Sequence, residues 1–185
     1  MPDIVLETER LVLRKIVEED AEWQFRHLNS PAVMHHLGGP KELHEIEEKH
    51  AKMMALHARE GFSFLFAIEK TTGEVVGHCG LKRVDSPEAK NIGDMEVGWL
   101  IREDRWRRGY AAEAVRAVLA WGFERHDAPH IVALTSPVNE PSWRLMEKLG
   151  MERREDLDFV DGRFSPKDNP TIVYEMTREN WENRR

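Results

Sequence analysis

Between an apolar segment and a long amphipathic one the chain reads Arg105-Trp106-Arg107-Arg108-Gly109-Tyr110-Ala111-Ala112-Glu113, an order of residue types suited to catching an anion. The start of a helix presents four N–H groups without intrahelical partners, together with the positive end of the helix dipole, and a turn of small residues there lets a pyrophosphate approach the main chain. Gly109 leaves no side chain at the point of approach. From Arg102 to Arg108 four arginines stand against Glu103 and Asp104, a local charge of 4 − 2 = +2 that suits a polyanionic cofactor. A solvated helix start carrying surface arginines is the alternative reading of the same residues. One glycine is less specific than GxGxxG or GxxxxGK[ST], and neither of those signatures occurs. The second group able to do chemistry is Glu96, set inside Met95-Glu96-Val97-Gly98-Trp99-Leu100-Ile101. Burying an ionised carboxylate in such a strand is costly without a partner or a raised pKa, which makes Glu96 a candidate general base. A solvent-facing or salt-bridged Glu on the polar face of the strand is the other reading.

Both groups need a strand and a helix to hold them. Residues 94–101 read as the strand. Ala111, Ala114, Val115, Val118, Leu119 and Phe123 recur at i, i+3, i+4, i+7, i+8 and i+12, one face of the helix that follows. Upstream, Leu11 and Leu13 mark a short first strand, residues 18–28 a helix ending at Asn29-Ser30-Pro31, and Pro31 the opening of another short helix. Residues 41–60 form a long charged helix closed by Gly61, and Phe62 to Ile68 with Val75 to Leu81 form a hairpin around Thr71-Thr72-Gly73. A strand over 130–134, a helix over 140–149 ended by Gly150, and strands over 151–159 and 171–176 complete the pattern. The class is α/β, with a mixed, largely antiparallel sheet flanked by helices. No repeat, low-complexity tract or linker asks for more than one domain over residues 1–185.

The 185 residues carry 27 basic and 34 acidic side chains, a net charge of −7, and 41% of them are hydrophobic. That composition supports a core and argues against disorder and against a general nucleic-acid binder, which needs a basic face. No apolar run reaches the roughly 20 residues that span a bilayer, and MPDIVLETER lacks the features of a signal peptide, so a soluble cytoplasmic protein without membrane contact is expected. The single Cys79 can form neither an internal disulfide nor a cysteine-rich zinc site, and is expected to be a small buried residue. His44 and His50 are six residues apart rather than four, so no metal is expected; His50 and His57 are assigned to a charged solvent face, and His35 and His36, near Gly38-Gly39, to the surface or to the lining of an acceptor pocket. Glu155, Asp156, Asp158 and Asp161 read as a solvated loop edge able to attract a cationic amine.

RWRRGYAAEA, following DMEVGWLI, resembles the coenzyme A pyrophosphate loop of the GNAT-superfamily N-acetyltransferases. LETERLVLRKIVEEDAEWQFRHLNSPAVMHHLGG resembles the amino-terminal signature of the ribosomal-protein-alanine acetyltransferase branch, and NEPSWRLMEKLGM its later cofactor segment, so the resemblance covers nearly the whole chain. It implies acetyl-CoA as cosubstrate and no metal. Main-chain donors to the pyrophosphate would come from Arg107, Arg108, Gly109, Tyr110, Ala111 and Ala112, Leu100 and Ile101 would pair through their backbone with the pantetheine arm, and Asn139 would bind cofactor with its side chain. Glu96 would be the base, acting directly or through water, and Gly98 would mark a bulge that frees a strand amide for the thioester carbonyl. The chain departs from the family pattern at Arg107, where the branch often has Gly, and at Trp106, where Gln or Arg is usual. Met146 stands where many members carry a tyrosine acid. The branch offers Ser142 instead, three residues after Asn139, either as a hydrogen-bond donor to the departing sulfur or as a helix cap. The implied reaction is direct acetyl transfer in a ternary complex to a primary amine, on a protein amino terminus or a small molecule. A noncatalytic acyl-CoA-binding module is the alternative, and a homodimer is compatible with either.

Overall fold

In the computed structural model, which describes residues 3–184, eight strands and five helices alternate along the chain. The strands are β1 (Ile4–Glu7), β2 (Leu11–Lys15), β3 (Phe64–Glu69), β4 (Val75–Arg83), β5 (Met95–Ile101), β6 (His130–Thr135), β7 (Glu152–Arg153) and β8 (Ile172–Thr177). The helices are α1 (Asp20–His27), α2 (Leu43–Glu60), α3 (Tyr110–Arg125), α4 (Glu140–Leu149) and α5 (Arg178–Glu182). The hydrogen-bonded strand order is β1-β2-β3-β4-β5-β6-β8-β7. β1/β2, β2/β3, β3/β4, β6/β8 and β7/β8 are antiparallel while β5/β6 is parallel, so the class is the mixed, largely antiparallel α/β one. The chain divides into two compact units, Met1–Lys82 with Gly98–Val118, and Arg83–Val97 with Leu119–Arg185.

In the first unit, alternation sets the sheet register. Leu13 faces Ala67 and Phe66 faces His78, and Leu11, Leu13, Leu65, Phe66, Ala67 and Val76 are completely buried. β1 is a strand beyond those expected, drawn into the sheet by its antiparallel register with β2. α2 starts on a capping box in which Glu42 and Glu45 bond each other's main-chain N–H groups, and stops at Gly61 in the left-handed region (φ 80°). Residues 31–38 are turns rather than a short helix, and Gly38 and Gly39 that close them both have φ of 81°. The Arg14 guanidinium grips Asp20 through two bonds of 2.7 Å, and Asp20 also takes the Val17 N–H at 2.8 Å, which fixes the start of α1.

His50 is not on a solvent face. It is 4% exposed, its Nε2 lies 2.7 Å from Gln24 Oε1 of α1, and its ring meets Phe66 edge-on. On β4, His78 leans against Phe64 and Phe66 with its Nδ1 buried. Burial, reinforced by the neighbouring His50 and Lys49, pushes the His78 pKa down to about 3. A histidine whose folded pKa lies below its unfolded value of 6.5 takes up its proton first in the unfolded chain. Its contribution is therefore intact above pH 6.5 and is lost progressively as pH falls towards 3. Urea midpoints should accordingly drop between pH 7 and pH 5, and His78→Phe should flatten that dependence; equal slopes for both proteins would exclude His78 as its source.

In the second unit β6 lies between β8, antiparallel along six residue pairs, and the first half of β5, parallel with Glu96 opposite Val132. Val84, Ala89, Val132, Phe159 and Val173 form its core, with Leu134 and Leu157 against them. Leu119 and Phe123 of the amphipathic helix are buried here, Phe123 stacking on Trp181 of α5 at 5.0 Å. Pro141 opens α4 and Gly150, at φ 89°, closes it. The long strand expected over 151–159 shrinks to Glu152–Arg153, a 3-10 turn over Glu155–Leu157 and a lone bridge from Phe159 to Thr171. Arginine–carboxylate ties bend the chain there: Arg153 to Asp158 at 2.7 Å and Arg154 to Asp156 at 2.8 Å. The expected solvated acidic edge holds for Glu155 and Asp156, which are exposed, and fails for Asp161. Asp161, 1% exposed, is held by Arg163 at 2.7 Å, and Asp85 shares that arginine. Cys79, in β4 of the first unit, is buried, and burial pushes its thiol pKa up.

Candidate active site

The turn expected to bind an anion belongs to the first unit. After β5 ends at Ile101, a 3-10 turn over Glu103–Arg105 reverses the chain, and Trp106 closes the reversal by donating its indole N–H to the Ile101 carbonyl at 2.8 Å. Arg107 then takes φ 59° and Gly109 φ 83° before α3 begins at Tyr110. Left-handed residues alternating with ordinary ones turn successive N–H groups to one side, the geometry of an anion nest. Among the described residues none of the six N–H groups from Arg107 to Ala112 donates to a main-chain or side-chain acceptor; the preceding Trp106 N–H goes to Glu103 and the following Glu113 N–H to Gly109.

The local +2 is redistributed. Arg102 is engaged by Asp104 through two bonds of 3.0 Å, and Arg105 by Glu69 and Glu74. Arg107 and Arg108 are exposed and have no ion pair among the described residues, so they are the cations left to a ligand. The Tyr110 phenol donates to the Glu69 carboxylate, which raises the phenol's pKa and leaves only its main chain to the turn. On β5, a Cβ on Gly77 would fall on the Leu100 carbonyl, so Gly77 is what lets β4 approach Leu100 this closely. The Ile101 carbonyl is taken by Trp106 and the Arg102 N–H by Val76 at 2.9 Å, which occupies part of the strand edge expected to serve the pantetheine arm. Gly98 serves a steric purpose: a Cβ there would stand 2.9 Å from Phe64 Cζ.

The second unit carries the remaining candidates. Glu96 is 8% exposed on β5. Asn139 is the N-cap residue of α4, with φ −88° and ψ 66°, and its N–H donates to the Ser136 carbonyl at 3.0 Å. Its half-buried side chain makes no capping bond. Ser142 is the third residue of α4; its N–H donates to the Asn139 carbonyl at 3.1 Å, and among the described residues its hydroxyl makes no hydrogen bond. It is thus not a helix cap. Met146 is 1% exposed. The chain's other tyrosine, Tyr174, donates to Glu147 Oε1 at 3.2 Å, and burial followed by that bond raises its pKa. Both tyrosine hydroxyls are therefore committed to carboxylates.

Residues 10–152 match the family model of the acetyltransferase (GNAT) domain. The uncharacterized protein YkkB of Bacillus subtilis is 34% identical over 147 residues, covering 79% of this chain and 84% of that protein. A crystal structure of an acetyltransferase from Agrobacterium tumefaciens shares the fold at a TM-score of 0.76 and 29% identity, over 94% of each chain. RimL, a ribosomal L7/L12 alpha-N-protein acetyltransferase solved in complex with coenzyme A, has the same fold at a TM-score of 0.76 and 13% identity, over 96% of this chain and 99% of RimL. A family match that spans most of the sequence, with a fold repeated over nearly full chain lengths, places this chain among the N-acetyltransferases of the GNAT family.

Proposed function

We propose that this N-acetyltransferase takes its acetyl group from acetyl-CoA and transfers it directly to a primary amine within a ternary complex. The observation that carries the reading is the turn from Arg107 to Ala112, with six N–H groups lacking acceptors among the described residues and two arginines left over from the local ion pairs. That arrangement fits a pyrophosphate, because main-chain donors at a helix start and guanidinium groups both favour multiple anionic oxygens. Asn139 would hold the cofactor through its amide.

Acetyl-CoA supplies an activated thioester carbonyl. An ammonium acceptor has no lone pair, so Glu96, directly or through water, takes its proton and leaves a neutral nucleophile. The amine nitrogen then bonds to the carbonyl carbon, the carbon–sulfur bond breaks with Ser142 donating a hydrogen bond to the departing sulfur, and the proton that the nitrogen must lose passes to the thiolate, giving an amide and free coenzyme A. The acceptor is a protein amino terminus or a small-molecule amine. Asp156, Asp158 and Asp161 are each paired with an arginine, so attraction of a cationic amine is not assigned to them.

Acetyl-CoA at a hundred times its dissociation constant should stabilise the fold by ~2.7 kcal/mol, visible as a rise in melting temperature. The same preparation should consume thioester when offered a panel of amines, with acetylated product seen by mass spectrometry. Stabilisation without product would favour a noncatalytic acyl-CoA-binding module, and no stabilisation would remove both readings.

A further inference from the structure

Arg10, in the connection between β1 and β2, reaches a part of the phosphate turn 98 residues away in sequence. Its Nη1 donates to the Arg108 carbonyl at 2.9 Å, its Nε to Glu113 Oε2 at 2.6 Å, and its own main-chain N–H to Glu113 Oε1 at 2.8 Å. The guanidinium lies over the Tyr110 ring, 4.5 Å from its centre, and Nη2 would be 3.3 Å from a Cβ on Gly109. Thr8 completes the arrangement by donating its hydroxyl to Glu113 Oε1 at 2.6 Å. One side chain thus contacts Arg108 and Tyr110, on either side of Gly109, and Glu113 in the first turn of α3, all within the first unit.

The planar trans peptide between Arg108 and Gly109 points its C=O and its N–H in opposite directions. A donor that holds the carbonyl towards Arg10 therefore aims the Gly109 N–H away from it, where an acceptor is lacking. Glu113, a carboxylate in the first turn of the helix, would otherwise weaken an anion site. Burial raises its pKa, but the bonds from Thr8 and Arg10 outweigh that effect and hold it lowered and ionised, with its charge met by Arg10. Arg105 is already held by Glu69 and Glu74, so it cannot substitute for Arg10 at this carbonyl.

We propose that Arg10 is a positioning residue for the pyrophosphate of the acetyl donor, acting through the Arg108–Gly109 peptide and through neutralisation of Glu113. The inference deepens the acetyl-CoA reading and rests on it. Its test compares two donors, acetyl-CoA and S-acetylpantetheine, which carries the same thioester without the pyrophosphate. Arg10→Gln removes the guanidinium, and Arg10→Lys keeps the charge but loses the fork that bonds two groups at once. Both variants should lose about tenfold in coenzyme A affinity by calorimetry and in kcat/KM for acetyl-CoA, through KM with kcat nearly unchanged, as the loss of a charge-assisted bond predicts. Their kcat/KM for S-acetylpantetheine should stay within about twofold of wild type, which also reports that they are folded. Equal losses with both donors would assign Arg10 to general stability, and an Arg10→Lys protein with wild-type coenzyme A affinity would assign it to charge alone; either overturns the proposal. Wild-type protein that binds no coenzyme A would instead overturn the acetyl-CoA reading, and with it the role built on that reading.

Discussion

Glu96→Gln is expected to lower kcat by ~10²-fold while leaving the dissociation constant of acetyl-CoA within about twofold, because the substitution removes a proton acceptor and keeps the side chain's shape. Position is what suits this residue to the role. Glu96 is 8% exposed in a strand whose neighbours Met95 and Val97 are also buried, and water is not freely available there to take up a proton. Without a base, only the small fraction of acceptor already neutral can react. The rate of the variant should therefore climb about tenfold per pH unit until the amine's own pKa is reached, whereas wild type should level off earlier. Initial rates from pH 6 to 10 with one amine, alongside acetyl-CoA binding by calorimetry, separate this from a structural effect. A salt-bridging or packing role would lower the urea midpoint and leave the shape of the pH profile alone. Turnover equal to wild type would eliminate Glu96 as the base.

Much of what positions these groups was legible in the sequence because it is local. The amphipathic spacing that defines α3 puts Ala114, Val115, Val118, Leu119 and Phe123 at 2% exposure or less, and the left-handed glycines that end α2 and α4 stand where the pattern places them. Hydrophobic period and cap chemistry act within one or two turns, so a window of residues contains them. Long-range pairing is not contained in that way. The strand β1 exists through its register with β2, and the strand expected over 151–159 stops at Arg154, whose guanidinium reaches Glu175 on β8, 21 residues away. Asp161 is buried against Arg163 while Glu155 and Asp156 are exposed, a difference that a run of four acidic residues does not display in sequence.

The candidate site divides along the same line. That the turn from Arg107 to Ala112 would offer its N–H groups follows from a helix start preceded by a glycine. Which arginines remain to meet a ligand does not, because Arg102 and Arg105 are claimed by carboxylates of which Glu69 and Glu74 lie on the distant β3–β4 hairpin. Arg10 gave no local sign of its contact with the turn, since its partners are 98 and 103 residues away. His78 draws no notice in the sequence, because the burial that lowers its pKa comes from residues brought together by the fold.

For Ser142→Ala the expected result is a loss of ~10²-fold in kcat with unchanged stability. Expulsion of an alkyl thiolate is helped by a donor that follows the developing charge on sulfur. The chain's two phenols are unsuited to that role, since Tyr110 is bound to Glu69 and Tyr174 to Glu147. Ser142 is half-buried near the start of α4 with a hydroxyl that makes no hydrogen bond among the described residues, so its donor is uncommitted. A capping role would predict ~1 kcal/mol of destabilisation on removal of the hydroxyl, but the cap position is held by Asn139, and alanine at the third helical position is a better helix former than serine. Melting temperature and kcat thus answer different questions. An acetyl donor whose thiol is several units more acidic needs less help in leaving, so the gap between Ser142→Ala and wild type should narrow with an aryl thioacetate and widen with acetyl-CoA. A drop below about threefold with acetyl-CoA, or the same ratio with both donors, would mean that the sulfur departs without Ser142.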